Sequence, residues 1–204
     1  MIHLVKDLIN SGHLKTPRII DAFQKIDRKD FVLEEYKDEA YVNAPLPIGY
    51  GQTISQPLTV AFMLELLQPK EGDKVLDIGS GSGWQTALLA NIVGEYGKVF
   101  AMEIMPELCE FGKKNIQKYD LVKKGIVKII CASASDGLPE EAPFDRIIAA
   151  ASSEKIPEPW KEQLKIDGRL VSPVMDSVWL LIKKGEKNFE EEKHKGFAFV
   201  PFVN

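Results

Sequence analysis

The sequence predicts an α/β protein: a mostly parallel central sheet with helices on both faces, a late antiparallel strand and a helical amino-terminal extension. From Lys70 onward, short apolar runs alternate with helix-length segments, the pattern of parallel strands joined by covering helices. The run Lys74-Val75-Leu76-Asp77-Ile78 leads into Gly79-Ser80-Gly81-Ser82-Gly83 and then a helical start at Trp84. Such a strand–turn–helix unit leaves bare backbone at the carboxyl edge of a sheet, where a ligand can lie against it. After Val174 the alternation stops, and two strand-like runs follow without a helix between them.

The amino-terminal residues, Met1 to about Tyr41, carry apolar positions at helical spacing. Ile19, Ile20, Phe23 and Ile26 form one stripe, and Pro17 sits at a natural helix start. A proline- and glycine-rich loop follows, Asn43-Ala44-Pro45-Leu46-Pro47-Ile48-Gly49-Tyr50-Gly51-Gln52-Thr53-Ile54-Ser55-Gln56-Pro57. Its length is unusual for a connector, and long loops in compact domains tend to be functional. A helix begins near Pro57 with Val60, Ala61, Leu64 and Leu67 facing inward. Beyond Lys70 the pattern predicts strands near Lys74–Ile78, Val99–Glu103, Val127–Cys131, Arg146–Ala150 and Arg169–Val174. Helices are predicted near Trp84–Val93, Pro106–Tyr119 and Pro159–Leu164. The final strand-like runs are Ser177–Lys183 and Gly196–Val203, with the charged segment Lys183–Lys195 read as a solvated connection.

At 204 residues, 45% of them apolar, the chain can bury a full core as a single domain over 1–204. A helical portion and loop occupy 1–57, and the sheet-based core occupies 58–204. The formal charge of −4 supplies no basic footprint for a nucleic-acid partner. No apolar run approaches the roughly 18 residues that span a bilayer, and Lys6 and Asp7 interrupt any secretory signal pattern. His3, His13 and His194 are scattered, so no metal site is expected. Cys109 and Cys131 lie in apparently core-facing segments and are read as reduced, buried thiols, which suits a cytoplasmic location. A monomer is expected.

The spacing Asp77-x-Gly79-x-Gly81-x-Gly83 differs from the dinucleotide pattern Gly-x-Gly-x-x-Gly. An acid two residues before the first glycine would repel a phosphate but suits a cationic or ammonium-bearing ligand. Glu103, closing the next apolar run, can accept from two vicinal ribose hydroxyls. Taken singly, the glycines could simply make a tight turn and the acids cap helices. Together they favour S-adenosylmethionine, with S-adenosylhomocysteine as its product, over a nicotinamide.

These motifs, with others, resemble those of protein-L-isoaspartate O-methyltransferases through most of the chain. The resemblance rests on Asp77-Ile78-Gly79-Ser80-Gly81-Ser82-Gly83 and on Gly49-Tyr50-Gly51-Gln52-Thr53-Ile54-Ser55-Gln56-Pro57. It extends to Glu140-Glu141-Ala142-Pro143-Phe144-Asp145, to Gln163-Leu164-Lys165 with Gly168-Arg169-Leu170-Val171, and to Phe199-Val200-Pro201-Phe202, similar to the family's last strand. The resemblance implies a Rossmann-like class I methyltransferase fold and methylation of the free α-carboxylate of L-isoaspartyl residues in damaged proteins and peptides. The ester then closes to a succinimide, and repair follows. By the same resemblance, Ser55 matches the family's active-site serine, with Thr53, Ile54 and Gln56 in the acceptor loop. Asp77, Gly79, Ser80, Gly81 and Glu103 fall on the cofactor edge.

The chain departs from the family where relatives carry Gly-Asp-Gly after the third strand, the aspartate reaching the adenine. Here Cys131-Ala132-Ser133-Ala134-Ser135-Asp136-Gly137 places Ser133 at the aspartate's position, with Asp136 as an alternative. The hydroxyl of Ser55 could instead serve the start of the next helix. Trp84 and Trp179 could be stacking platforms, although aromatic residues in apolar runs more often belong to the core. Rival functions are a catalytically weak protein-binding module and a methyltransferase for another small-molecule or nucleic-acid acceptor.

Overall fold

The computed structural model describes residues 1–203. Two short helices open the chain, α1 (Ile2–Asn10) and α2 (Pro17–Lys25), followed by 3-10 turns at Arg28–Phe31 and Glu34–Glu39. Pro17 stands in the first turn of α2, where its missing N–H costs nothing. The long loop contains a small antiparallel hairpin, β1 (Leu46–Gly49) and β2 (Gln52–Ile54), with Tyr50 and Gly51 at its tip. Helix α3 (Pro57–Leu67) leads into the main sheet.

That sheet has seven strands in the order β5-β4-β3-β6-β7-β8-β9. They are β3 (Lys74–Ile78), β4 (Lys98–Glu103), β5 (Val127–Cys131), β6 (Phe144–Ala149), β7 (Leu164–Val174), β8 (Ser177–Gly185) and β9 (Asn188–Lys195). Helices α4 (Trp84–Val93), α5 (Pro106–Gln117) and α6 (Glu158–Glu162) lie between strands of the parallel part. The pairings from β5 across to β7 are parallel, and β8 alone runs against the rest, so the expected late antiparallel strand is present. The chain builds outward from β3 to β5 and then jumps to β6 on the other side of β3. That reversal opens a crevice at the carboxyl ends of β3 and β6, where ligands bind in sheets of this kind.

Strand alternation sorts the core onto two faces. Val75, Val99, Ala101, Ile148 and Val171 pack with the amino-terminal helices, α3, α4 and α5. Leu76, Ile78, Phe100, Met102, Ile147 and Leu170 pack with Phe144 and the Trp160 of α6. Helices therefore cover both faces.

The carboxyl-terminal segment differs from the expectation of a solvated connection followed by a strand. Residues 188–195, taken as a solvated connection, form β9, paired along its length with β8. Its Glu190, Glu191 and Glu192 are exposed, and a charged edge strand resists pairing with other chains. The run Gly196–Val203 is not a strand. It crosses the sheet's carboxyl edge as irregular chain, held by Ser152 N–H to Val200 O (2.8 Å) and Phe202 N–H to Ser152 O (2.7 Å).

The cysteines are bonded to each other and are not the reduced thiols expected. Cys109 in α5 and Cys131 at the end of β5 form a disulfide with Cα atoms 5.8 Å apart, within bridging range. The turn between β4 and α5 brings the helix alongside β5, a proximity their separation in sequence does not display. The reduced-thiol argument for a cytoplasmic location therefore falls away.

Candidate active site

At the crevice lies a cavity of about 870 Å³, including its open mouth. One wall is the glycine turn after β3, with Ile78, Gly79, Ser80 and Gly81; the next is the end of β4 and the start of α5, with Met102, Glu103, Met105 and Leu108. The hairpin loop contributes Ile48, Gln52, Thr53, Ile54 and Ser55. Ala150 and Ala151 after β6 and residues 200–203 complete the ring. Within the Phe199-Val200-Pro201-Phe202 run, Val200, Pro201 and Phe202 thus serve as a wall rather than a strand.

Backbone hydrogen bonds fix the turn. Gly79 and Ser80 both donate N–H to Met102 O, at 2.9 and 3.0 Å. Gly79 has φ +75°, and a side chain there would extend into open space, so its backbone is bare to whatever occupies the cavity. Gly112 on α5 has a different function. A Cβ on it would sit 2.6 Å from Gly81 O, so the absence of a side chain lets α5 pack directly against the turn.

Glu103 is buried and ordered by two backbone donors. Its Oε2 accepts from Gly81 N–H at 2.9 Å and its Oε1 from Met105 N–H at 3.0 Å. A carboxylate has about four acceptor positions, so Glu103 retains capacity toward the cavity it borders. Trp84, also on the cavity wall, carries a buried indole N–H with no hydrogen-bond acceptor among the described residues.

Asp77 lies elsewhere. It shares the sheet face of Val75, beneath α4, and is fully buried away from the cavity lining. Its oxygens accept from Gln85 Nε2 (2.8 Å) and Thr86 Oγ1 (2.6 Å), both on α4. Burial pushes its carboxyl up to about 6, opposed by those two hydrogen bonds and assisted by the charge of Glu103. Asp77 therefore braces the helix that follows the turn and makes no contact with the hollow.

Ser133 is likewise off the wall. Its exposed hydroxyl pairs with Ser135 Oγ at 2.8 Å, while its neighbours Ala132 and Ala134 line the cavity. Gln56 turns away, donating Nε2 to Asn43 O at 3.0 Å. Ser55 is half-buried on the cavity wall, and among the described residues its hydroxyl makes no hydrogen bond.

Arg28 escapes sequence reasoning because it stands in the charged run Asp27-Arg28-Lys29-Asp30, which reads as surface. It is fully buried. One terminal nitrogen donates to Ala40 O (2.8 Å) and Val42 O (3.2 Å), the other to Ala44 O (2.9 Å) and Ser55 O (3.1 Å). Its guanidinium carbon is 5.4 Å from the centre of the Trp84 ring. Burial lowers it to about 10, so it remains a cation at neutral pH.

The chain is similar to known proteins in sequence and in overall fold. The profile of the Protein-L-isoaspartate(D-aspartate) O-methyltransferase (PCMT) family matches residues 1–204. A protein-L-isoaspartate O-methyltransferase of Methanopyrus kandleri is 42% identical over 206 aligned positions, covering 98% of this chain and 89% of that protein. One from Archaeoglobus fulgidus, named protein-L-isoaspartate O-methyltransferase 2, is 47% identical, covering 91% of this chain and 84% of that protein. A Plasmodium falciparum protein described as a PCMT, crystallised in complex with S-adenosyl-L-homocysteine, superposes with a TM-score of 0.88 at 25% identity. That match covers 98% of this chain and 97% of the other. With its profile matched throughout and relatives of this similarity aligned nearly end to end, the chain belongs to the protein-L-isoaspartate(D-aspartate) O-methyltransferase family.

Proposed function

We propose that this protein methylates the free α-carboxylate of L-isoaspartyl residues in damaged proteins and peptides, using S-adenosylmethionine and initiating repair through a succinimide. The observation that carries the reading is a single cavity in which the glycine turn and Glu103 face the loop Gln52–Ser55. The residues fit the donor: bare backbone at Gly79 to lie against, spare acceptor capacity on Glu103, and an apolar flank of Met102, Met105, Leu108 and Ala132. Gly79, Ser80 and Gly81 would hold the methionine portion and Glu103 the ribose. When bound, S-adenosylmethionine supplies an electrophilic methyl group on a sulfonium.

The protein's own part is modest, and the chemistry allows that. An acceptor carboxylate, with an ordinary pKa near 4, is ionised at neutral pH, so no general base is required. Ser55 donates a hydrogen bond that orients this carboxylate, and positioning supplies most of the rate gain. Opposite charges neutralise as the reaction proceeds, so the hairpin loop helps by excluding water. Thr53 and Ile54 shape the acceptor side. Asp77 acts at one remove, through α4.

We read residues 1–204 as one methyltransferase domain, supported by a core that runs continuously from Leu4 to Leu180. We also read it as a monomer whose partners are isoaspartyl proteins and not nucleic acid. The acidic balance of −4 supports the latter. Among the described residues no helix is long and apolar enough to cross a membrane.

Radiolabelled methyl transfer to paired synthetic peptides, one isoaspartyl and one aspartyl, tests the activity. Label confined to the isoaspartyl peptide is expected. Label in neither overturns the assignment.

A further inference from the structure

We infer that Arg28 is a positioning residue for methyl transfer: it clamps both ends of the hairpin loop and holds Ser55 in register with the turn beneath the cofactor. The inference rests on the activity proposed above. Its basis is an unusual buried cation. Arg28 is wholly enclosed, and the hydrogen bonds of its guanidinium go to carbonyl oxygens rather than to a carboxylate. Removing a guanidinium from water is costly unless its donors are satisfied. Four carbonyl oxygens do this for the two terminal nitrogens, while Nε is buried with no partner among the described residues, and those carbonyls come from two separate places. Ala40, Val42 and Ala44 precede the hairpin, whereas Ser55 follows it.

Such an arrangement exceeds what is needed to fill a core position. An apolar side chain would fill the volume without the desolvation cost. A planar fork with donors on both terminal nitrogens, however, can bind carbonyls from two chain segments at once, and an ammonium cannot reproduce that fork. The guanidinium also lies against Trp84, the residue that opens α4 directly after the glycine turn. One side chain therefore touches the approach to the loop, its acceptor-side serine and the first residue of the cofactor-side helix. Movement of Ser55 relative to Gly79–Gly81 would break this set of contacts. Because Arg28 lies outside the cavity lining, its effect passes through Ser55 and not through contact with substrate.

Arg28→Lys and Arg28→Ala separate positioning from bulk stability. For Arg28→Lys, S-adenosylhomocysteine affinity by calorimetry should match the wild type. Its kcat/KM for an isoaspartyl peptide should fall about 100-fold, the scale expected for misplacing a reacting group by about an ångström. In Arg28→Ala, ethylguanidinium should restore part of the activity, and sodium chloride at equal ionic strength should not. A structural role alone would lower melting temperature and cofactor affinity together, with no chemical rescue. That result, or wild-type kcat/KM in Arg28→Lys, overturns the proposal.

Hydrogen exchange on the wild-type protein decides the matter even if neither variant folds. Residues 40–44 and 53–56 should open as one unit with a common rate, and independent opening of the two ends overturns the clamp. A wild-type protein that methylates neither peptide would refute the activity, while the exchange rates would still report on the clamp.

Discussion

The Oε2 atom of Glu103 accepts a hydrogen bond from the Gly81 N–H at 2.9 Å, so the acid ending β4 holds the glycine turn that follows β3. Two candidate cofactor contacts are thereby one structural unit. Glu103→Ala should weaken S-adenosylhomocysteine binding about 10- to 100-fold, the worth of hydrogen bonds to a charged acceptor. Calorimetric titration reads the change. Affinity equal to wild type would separate Glu103 from the cofactor.

Ser55 borders the same hollow from the loop side. Ser55→Ala should bind S-adenosylhomocysteine normally and methylate an isoaspartyl peptide about 10- to 100-fold more slowly, the loss of one hydrogen bond to an anion. Single-turnover transfer measures it. A wild-type rate removes the assigned role.

Asp77 predicts a pH dependence of stability. Its carboxyl titrates near 3.8 when unfolded and about 6 in the fold, so the folded state holds the proton more tightly. Stability from this group is complete below pH 3.8 and is lost as pH rises through 6. Asp77→Asn should therefore be more stable than wild type above that window, by up to about 3 kcal/mol. The advantage should vanish at the acid end. Urea unfolding across pH tests this, and parallel profiles for the two proteins would contradict it.

Gly112→Ala would place a Cβ 2.6 Å from Gly81 O. Helix α5 or the turn must then shift, at a cost of about 1–3 kcal/mol typical of overpacking. Cofactor affinity should fall with the melting temperature, since the displaced atom belongs to the turn.

The Cys109–Cys131 bridge closes a separation of 22 residues. Native protein purified without reductant should show no reactive thiol, and reduction should release two. Cys109→Ala should lower stability by about 3 kcal/mol. Thiol titration and thermal unfolding with and without reductant check both.

Much of the sheet was legible because buried parallel strands are continuous apolar runs. β3 and α4 fall where periodicity puts them, as the Gly79–Gly83 segment marks the boundary between them. The misses have physical causes. Strand β9 lacks an apolar pattern because its pairing comes from the backbone of β8, and composition does not encode backbone pairing. The aromatic run at 197–202 mimics a strand yet packs as irregular chain, with Phe197 stacked on Phe62 and Phe202 edge-on to Trp160.

Within the candidate site, the glycine turn, Glu103 and Thr53–Ser55 were readable from spacing or resemblance, and they line one cavity. Asp77 was readable as an acid but not as one facing α4, because the compensating Gln85 and Thr86 are on the next helix. Ser133 was placed by alignment alone, which does not show side-chain direction. Arg28 was hidden, since no local pattern distinguishes a buried arginine from a solvated one.

The walls of the cavity are drawn from stretches scattered between Ile48 and Val203. No single element of the fold contains the whole hollow, so a molecule seated there can grip only the assembled structure. Its binding energy is then added to the folding equilibrium of the entire chain. At a ligand concentration 100 times the Kd, that linkage amounts to about 2.7 kcal/mol. Donor supply and resistance to unfolding are thus coupled variables for this protein.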